Sequence, residues 1–435
     1  MTSITKPGAP ARRLARAALL ALLLSGAAGA ALAQEAPMPT SGAQSAPPPL
    51  TDAERDARLM KLEALVEEQA GEIASLKASN AQTAAKIDTI PAEVQTAVAS
   101  MPKPAPKKSW ADDTTVSGRM YYDLTDIQQE SNGVKQPAQG FSFDVKRFYV
   151  GVDHKFNDMF SGNVTTDFNY VAADGQTQVY IKKAYLQAKI SDALVIRAGA
   201  ADMPWVPFVE DLYGYRYVEN VLIDRTKFGT STDWGVHALG KFDGGLINYA
   251  VSVVNGAGYK VLQRSNSMDI EGRVNLNYDG FVLGVGGYTG KLGKEIEGTH
   301  IFHTADRFDV IGAYVDKRVR VGAEYFVATD WTAVTTPIAD KAEGFGLFGA
   351  YNFTDQIGVF GRYDWVKPNR DTAHSLKDDY FDIGISYSPV KIVDFALVYK
   401  RDKAEDGIIS TSNGKIGGSK DGTYDEIGLW GQFRY

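Results

Sequence analysis

Cysteine is absent from this chain, which excludes a disulfide framework and any metal site built on thiolate ligands. Beyond the N-terminal segment, no apolar run approaches the ~18–20 residues that a membrane-spanning helix needs. Histidine is scarce, and the pair His300 and His303 has no third ligand spaced to complete a metal site. A G-x-S-x-G nucleophile motif and a glycine-rich phosphate loop are also missing. We therefore expect no enzyme, no cofactor and no metal centre.

Glycine and tyrosine are abundant, with 43 and 22 of the 435 residues, and charge is spread evenly. This composition indicates a β-rich protein. Acidic residues outnumber basic ones by 53 to 46, and the basic group Lys103, Lys107 and Lys108 is interpreted as a solvated tether. Binding to nucleic acid is therefore not expected.

The first 33 residues predict a signal peptide. Basic residues at positions 6, 12, 13 and 16 precede an apolar run at 17–24 and an A-x-A cleavage site at 31–33. A short membrane anchor is the alternative, and the brevity of the apolar run disfavours it. The mature chain would begin at Gln34, outside the cytoplasm.

A helical region is predicted between two tethers. Residues 34–51 are rich in Pro, Ala and Ser and form an extended spacer, and residues 101–109 form a linker of Pro and Lys. Residues 52–100 carry a heptad pattern that favours an oligomerising coiled coil over an isolated amphipathic helix. Its a and d positions are Leu59, Val66, Ile73, Asn80 and Ile87, and Leu62, Gln69, Leu76, Thr83 and Ile90. These residues leave the number of helices in the coiled coil open.

Residues 110–435 consist of segments of roughly ten residues in which polar and apolar side chains alternate, separated by turn residues. The spacers between the segments are short and long in turn. Short spacers lie at 156–160, 191–193, 243–245, 279–280, 354–356 and 388–390. Long polar spacers lie at 126–140, 202–229, 255–267, 291–304, 331–342, 367–378 and 403–421. The pattern predicts an all-β transmembrane barrel of sixteen antiparallel strands, preceded by a periplasmic α-helical coiled coil; a soluble β-sandwich would leave sheet edges to protect.

The chain ends in EIGLWGQFRY, where apolar residues alternate up to Tyr435. A strand that keeps this period to its last residue is paired to the end, so we expect it to close the barrel against residues 114–124. A terminal aromatic residue also resembles the signal by which the barrel assembly machinery recognises its clients. We therefore expect the protein in the outer membrane of a Gram-negative bacterium, in contact with its lipid, with the coiled coil in the periplasm.

Six stretches resemble one known family, in the same order along the chain. They are KRFYVGVDHKF (146–156), VYIKKAYLQAKI (179–190), IRAGAADMPWVPFVEDLYGYRYVEN (196–220), DWGVHALGKF (233–242), YAVSVVNGAGY (249–259) and DIEGRVNLN (269–277). Together they resemble the phosphate-selective porin O/P family over most of residues 110–435. The resemblance implies a homotrimer of sixteen-stranded channels whose third extracellular loop, here 202–229, folds into the pore. The coiled coil resembles that of the dicarboxylate-type members.

The predicted pore loop departs from the pattern of the phosphate-selective members, in which lysines cluster at the constriction. Its basic residues Arg216, Arg225 and Lys227 are interspersed with acidic ones, and no lysine cluster is present. The natural solute, whether phosphate, a dicarboxylate or a sugar, is therefore left open.

Strand parity predicts a set of basic residues that face the lumen, because each alternates with apolar neighbours. They are Arg119, Arg147, Lys183, Lys189, Arg197, Arg273, Arg320, Arg362 and Lys400. A charge facing lipid at mid-depth costs ~2–4 kcal/mol, whereas lumen Arg and Lys attract anions. Acids share the same face: Asp123, Asp167, Asp233, Asp269, Glu271, Glu324, Asp364, Asp382 and Asp394. Pairing of the two sets into structural ladders is the alternative, so anion preference, weak selectivity and cation preference all remain open.

These features predict a homotrimeric porin for passive diffusion of small anionic solutes, either phosphate or carboxylates. The candidate anion-binding residues are the nine predicted lumen bases together with Arg216, Arg225 and Lys227. One alternative is a weakly selective general or sugar porin. Another is a structural tether of the outer membrane that acts through the coiled coil.

Overall fold

The computed structural model describes residues 52–88, 109–137, 139–171 and 176–435. The predicted signal peptide and spacer lie outside the described residues. So do the predicted coiled coil from residue 89 onwards and the linker up to residue 108. Among the described residues, no helix combines the length and apolar character that a membrane span requires.

Helix α1 runs without a break from Asp52 to Asp88. The apolar residues of its predicted seam are more than half exposed in the single chain: Leu59, Leu62, Val66, Ile73 and Leu76. A narrow apolar stripe of this kind is buried only when other helices pack against it. The helix is therefore confirmed, and its assembly into a coiled coil stays a prediction.

The rest of the described chain forms a barrel, entered through a short 3₁₀ helix, Trp110–Asp113. The first eight barrel strands are β1 Thr114–Ser131, β2 Gly140–Lys155, β3 Phe160–Val171, β4 Gln176–Ser191, β5 Leu194–Asp202, β6 Thr232–Phe242, β7 Ile247–Val254 and β8 Asp269–Tyr278. The second eight are β9 Phe281–Gly290, β10 Ala305–Val315, β11 Val319–Thr329, β12 Lys341–Asn352, β13 Ile357–Lys367, β14 Lys377–Val390, β15 Val393–Glu405 and β16 Gly422–Arg434. A two-residue strand, Val134–Lys135, folds back and pairs with the end of β1, and a separate hairpin pairs Ile408–Thr411 with Gly414–Gly417.

The sheet closes on itself, because β1 pairs with β2 on one side and with β16 on the other. The closing register runs from Arg119 opposite Arg434 to Ser131 opposite Gly422. Tyr435 extends this ladder: its N–H donates to the carbonyl of Gly118 at 3.2 Å, and its carbonyl accepts the Gly118 N–H at 3.1 Å. The predicted closed, sixteen-stranded antiparallel barrel is confirmed.

Short turns and long loops alternate as predicted, with two local differences. A turn that sequence reasoning missed lies at 316–318, where the carboxylate of Asp316 accepts the N–H groups of Arg318 and Val319 at 2.7 and 2.6 Å. The predicted turn at 388–390 instead belongs to β14. Pro389 is accommodated there because the register to β15 shifts between Tyr387 and Val390, which leaves it at a bulge without a ladder partner.

The outer and inner faces of the barrel differ as strand parity predicts. The outer face is apolar and carries exposed aromatic side chains near both strand ends, including Phe156, Tyr278, Phe281, Tyr351, Phe353, Tyr325, Tyr363 and Phe381. An apolar band flanked by aromatic residues is the surface that a bilayer requires of a barrel. The buried charged residues lie on the inner face and in the loops, among them Asp167, Arg307, Asp364 and Lys400.

Residues 203–231, between β5 and β6, fold into the barrel and form the inner loop, with helices α2 Val206–Tyr213 and α3 Leu222–Arg225. Glycines on β9 make room for it, because a Cβ on Gly286 would lie 2.5 Å from the Trp205 ring and one on Gly284 would lie 2.8 Å from Phe208. Beyond them, aromatic rings of the loop pack on the inner faces of later strands: Tyr213 on Phe348, Tyr215 on Phe360 and Phe228 on Phe326. The hydrophobic core therefore lies inside the barrel, between the inner loop and β9–β13.

Candidate functional site

Arg225, at the end of α3, anchors the inner loop to the barrel wall. Its guanidinium reaches three carboxylates on adjacent strands: Asp364 at 2.9 Å, Asp378 at 2.6 Å and Asp402 at 3.1 Å. All four side chains are fully buried, and the guanidinium lies 4.4 Å from the centre of the Tyr380 ring. A fully buried guanidinium that is paired with three carboxylates is out of reach of a solute, so the Arg225 cluster holds the loop in place.

Two other predicted anion-binding residues are also occupied by buried carboxylates. Arg362 donates from Nε and Nη2 to both oxygens of Asp364, at 2.8 and 2.5 Å. Lys400 lies 3.0 Å from Glu426 and 3.5 Å from Glu219 of the inner loop. Arg362 and Lys400 therefore pair with lumen acids, which is the structural alternative to anion binding that the sequence analysis left open.

Glu219 illustrates how strongly these pairs are coupled. Burial alone would raise the pKa of its carboxyl group. The charges of Lys146 and Lys400, with hydrogen bonds from Ser412 and the Asn220 N–H, outweigh burial and hold that pKa well below its usual range. Glu219 therefore stays ionised and fixes the loop to β2 and β15.

Arg320 and Arg273 position the loop through backbone carbonyls rather than through carboxylates. Arg320 Nη1 donates to the carbonyls of Asp211 and Leu212 at 2.9 and 3.0 Å, at the negative end of the α2 dipole. Arg273 Nε donates to the carbonyl of Pro204 at 2.7 Å, and its guanidinium stacks 4.1 Å from the centre of the Phe208 ring.

Two β-bulges bring extra positive charge into the lumen. The register between β1 and β2 skips Lys146, and that between β3 and β4 skips Lys182. Two successive side chains can then share a face, so Lys146 joins Arg147, and Lys182 joins Lys183, on the inner side. Lys146 Nζ donates to the carbonyl of Val218 at 2.9 Å.

Sequence reasoning missed Lys146 and Lys182, because strict parity turns them towards the lipid. The signal that could have found them is the adjacent basic pair itself, since one member would otherwise face lipid at a cost of ~2–4 kcal/mol. Two more missed bases, Lys241 and Arg307, lie on inward positions of β6 and β10. Arg307 is buried and paired with Asp309 at 2.9 Å and Glu271 at 3.2 Å.

A cavity of about 490 Å³ lies between β1–β5 and the inner loop, and we name it the β1–β4 cavity. Three of the bases that line it are paired: Lys183 with Asp202 at 2.6 Å, Arg216 with Glu210 at 2.5 Å and Arg434 with Asp394 at 2.5 Å. Arg216 Nη1 is buried and finds no hydrogen-bond partner among the described residues. The charge of Arg216 on the loop side is also shared with Asp224 at 3.7 Å.

Two cations on the wall of the β1–β4 cavity form no salt bridge among the described residues. The Lys182 ammonium lies 4.8 Å from the centre of the Tyr149 ring and 5.6 Å from that of Tyr259. Arg119 Nη1 donates to the hydroxyl of Tyr121 at 3.2 Å. Asp211, at the loop side of the same cavity, is the carboxylate in its lining that makes no ion pair within the described chain.

Two further bases, Arg147 and Lys260, lie beside the β1–β4 cavity. Arg147 is paired with Asp167 at 2.6 Å. Lys260, in the loop between β7 and β8, lies 4.6 Å from the centre of the Tyr180 ring. Burial, together with the positive charges of Arg147 and Lys182, lowers the pKa of the Lys260 ammonium to about 8. Its charge is therefore lost as the pH rises through about 8.

A second cavity, of about 510 Å³, lies between β4–β8 and α2, and we name it the β4–β8 cavity. Its predicted bases are Lys189, Arg197 and Arg273, and the structure adds Lys241. Lys189 pairs with Asp192 at 2.8 Å, but both side chains are more than half exposed. Arg197 and Lys241 form no salt bridge among the described residues, so positive charge predominates in this cavity.

Lys227, the last of the predicted bases, lies away from both cavities. Its Nζ donates to the hydroxyl of Ser410 at 2.6 Å, on the hairpin that joins β15 to β16. The same hairpin contacts the inner loop through Ser412, whose N–H donates to the carbonyl of Arg225 at 2.8 Å and whose hydroxyl donates to Glu219 at 2.7 Å. The segment that sequence reasoning treated as an outer loop, 403–421, thus contributes a second inward-folded element.

Removal of this hairpin should widen the channel. We expect replacement of Ile408–Gly417 by a short Gly-Ser link to raise open-channel conductance by roughly twofold, since pore diameter sets conduction. Single-channel recording in planar bilayers measures the change. A matched shortening of the loop at 294–299, which is not in contact with Arg225, should leave conductance near the wild-type value. Equal conductance of the hairpin variant and the wild type would show that the hairpin does not narrow the path.

The barrel has the fold of known outer-membrane channels. An anion-selective porin from Comamonas acidovorans superposes with a TM-score of 0.55 and 11% identity, over 74% of this chain and 99% of that chain. The outer membrane channel DcaP of Acinetobacter baumannii superposes with a TM-score of 0.52 and 13% identity, over 74% of this chain and 97% of that chain. OmpF of Salmonella typhi, in complex with daunomycin, superposes with a TM-score of 0.51 and 12% identity, over 74% of this chain and 97% of that chain. At these identities the similarity shows the fold alone.

No protein-family model matches this chain, and no curated protein matches it. The resemblance to the phosphate-selective porin O/P family therefore stays a prediction. What is established is a porin-like barrel with an inward-folded loop.

Proposed function

We propose that this chain is a passive channel of the bacterial outer membrane that conducts small anionic solutes. The closed barrel with a bilayer-compatible outer face supports the membrane location. The inner loop, which folds into the lumen and is anchored to the wall by buried ion pairs, supports passive diffusion along a narrowed path. Weak binding at several sites along such a path lets a solute enter and leave again.

The observation that carries anion preference is the set of cavity-lining cations that form no salt bridge among the described residues. These are Arg119 and Lys182 in the β1–β4 cavity and Arg197, Lys241 and Arg273 in the β4–β8 cavity. Arginine offers carboxylates and phosphates two parallel N–H donors, and lysine offers a point charge. Phosphate or carboxylates are the proposed solutes, and the absence of a lysine cluster in the inner loop gives phosphate no special place among them.

A weakly selective general porin is the second candidate. It is favoured by the buried ion pairs of Arg225, Arg307, Arg362 and Lys400, because each of these four bases is taken up by carboxylates and is not available to a solute. Under this alternative the unpaired cations would be too few to discriminate between solutes.

Assembly is also a proposal. The exposed apolar seam of α1 supports packing of helices from several chains, and a homotrimer with periplasmic helices follows the resemblance given above. The terminal aromatic residue, Tyr435, is the proposed contact for the barrel assembly machinery. Cross-linking of the full chain in mild detergent reports the number of protomers.

Reversal potentials in asymmetric KCl test the proposed function. We expect planar-bilayer recordings of the full chain to give the sign of a chloride-preferring channel, because the unpaired cations lower the barrier for anions. A potential near zero would favour the weakly selective porin. The sign of a potassium-preferring channel would contradict anion preference while leaving the barrel intact.

A further inference from the structure

The inner wall of the β4–β8 cavity carries a row of residues that pair across five adjacent strands. The register places Lys189 opposite Val195, Val195 opposite Leu239, Leu239 opposite Ala250, and Ala250 opposite Arg273. The row therefore has an apolar centre of three residues and a basic residue at each end. Adjacent strands lie about 4.8 Å apart, so the apolar centre is about 10 Å wide.

Further cations border this apolar centre along the strand direction. Arg197 lies two residues from Val195 on β5, and Lys241 lies two residues from Leu239 on β6, on the same inner face. A basic residue thus lies at each end of the apolar row and on each side of it along the strands, and His237, Ser252 and Asn248 occupy the other flanking positions. On the wall of a purely aqueous vestibule the positions between the bases would be expected to be polar.

The guanidinium groups are held in place before any solute arrives. Arg273 is fixed by the Pro204 carbonyl at 2.7 Å, by Asn275 and by the ring of Phe208. Arg197 Nε donates to Gln187 at 2.8 Å, and its guanidinium lies 4.9 Å from the centre of the Tyr185 ring. Fixed donors lose little conformational entropy on binding, which favours recognition of a ligand with matching geometry.

We infer that the β4–β8 cavity is a binding subsite for organic carboxylates that carry a flat apolar body about one ring wide. The carboxylate would pair with the surrounding Arg and Lys, and the ring would cover Val195, Leu239 and Ala250. The volume of the β4–β8 cavity, about 510 Å³, lies within the range of small-molecule sites. Inorganic phosphate has no apolar surface to match the patch. This inference rests on the proposed function and names a substrate class for it.

Benzoate and acetate are the probes, because they share a carboxylate and differ in the apolar body. Titration of the full chain in detergent by calorimetry should give benzoate a Kd at least tenfold lower than that of acetate. In planar bilayers, benzoate should interrupt the chloride current at correspondingly lower concentration than acetate or inorganic phosphate. Equal affinities for benzoate and acetate would overturn the inference.

Two variants separate the apolar and the charged contributions. Leu239→Asn should bring the benzoate Kd close to that of acetate, because it removes the centre of the patch and no charge. Arg197→Gln should weaken both probes alike. Lys317→Gln, at an exposed turn outside both cavities, should leave the benzoate-to-acetate ratio of the Kd values as in the wild type. If Leu239→Asn left the benzoate-to-acetate ratio of the Kd values unchanged, benzoate binding would be adventitious only, and the subsite would be contradicted.

The outcomes for the subsite and for the proposed function are distinguishable. A chloride-preferring channel that binds benzoate no better than acetate retains the proposed function and loses the subsite. A channel without chloride preference contradicts the proposed function, whereas calorimetry of benzoate binding still decides the subsite, because it needs no conduction.

Discussion

Arg225→Met is expected to destabilise the barrel by about 3–5 kcal/mol, because it leaves three buried carboxylates with one cation fewer. In the wild-type protein Asp378 and Asp402 each have one oxygen without a hydrogen-bond partner, and among the described residues Arg225 is the cation that pairs with both. The carboxylates must then take up protons or stay charged in a buried site, and both alternatives cost free energy. The midpoint of urea unfolding in detergent, followed by the loss of heat-modifiable gel mobility, measures the effect.

An exposed pair provides the control for this substitution. Arg401 lies 3.3 Å from Asp425 on the outer face, and its side chain is 41% exposed. Arg401→Met should therefore change stability by less than about 1 kcal/mol. If Arg225→Met fails to fold, Arg225→Lys keeps the charge but loses the three-way contact, and it should unfold at an intermediate midpoint. A wild-type midpoint for Arg225→Met would contradict the anchoring role of the cluster.

Reversal of the two unpaired charges in the β1–β4 cavity should change the sign of selectivity. We expect Arg119→Glu combined with Lys182→Glu to turn a chloride-preferring channel into a potassium-preferring one. A unit charge about 5 Å from a solute ion contributes roughly 1–3 kcal/mol at effective dielectric constants of about 20–80. Each substitution therefore shifts the anion-to-cation preference fivefold or more, and reversal potentials in asymmetric KCl measure it.

Neutral and distant variants control for indirect effects. Arg119→Gln with Lys182→Gln should give a reversal potential between those of the wild type and the double Glu variant. Lys317→Glu alters an exposed turn residue that is paired with Asp355 at 3.0 Å, where salt screens its charge, and it should leave selectivity unchanged. Retention of the wild-type sign by the double Glu variant would show that these two cations do not set selectivity.

The sequence by itself determined the architecture. The two-residue period of each strand fixes which side chains face lipid, since a one-residue slip would expose every polar residue. The alternation of short and long spacers fixes the strand count and direction, and the apolar period up to Tyr435 predicts closure onto β1. These are local properties, because a strand's parity depends on the order of its own residues.

Only the tertiary structure decided which charges remain available to a solute. Lys400 satisfies the parity rule as well as Arg119 and Arg197 do, yet its acidic partners Glu219 and Glu426 lie on the inner loop and on another strand. Arg225 of the inner loop likewise pairs with carboxylates on three strands more than a hundred residues further along the chain. Parity also fails at Lys146 and Lys182, because a bulge depends on the register with a neighbouring strand. An ion pair and a register are properties of two segments together. The sequence therefore determined where the charges face, and the packing of the inner loop decided which of them are free.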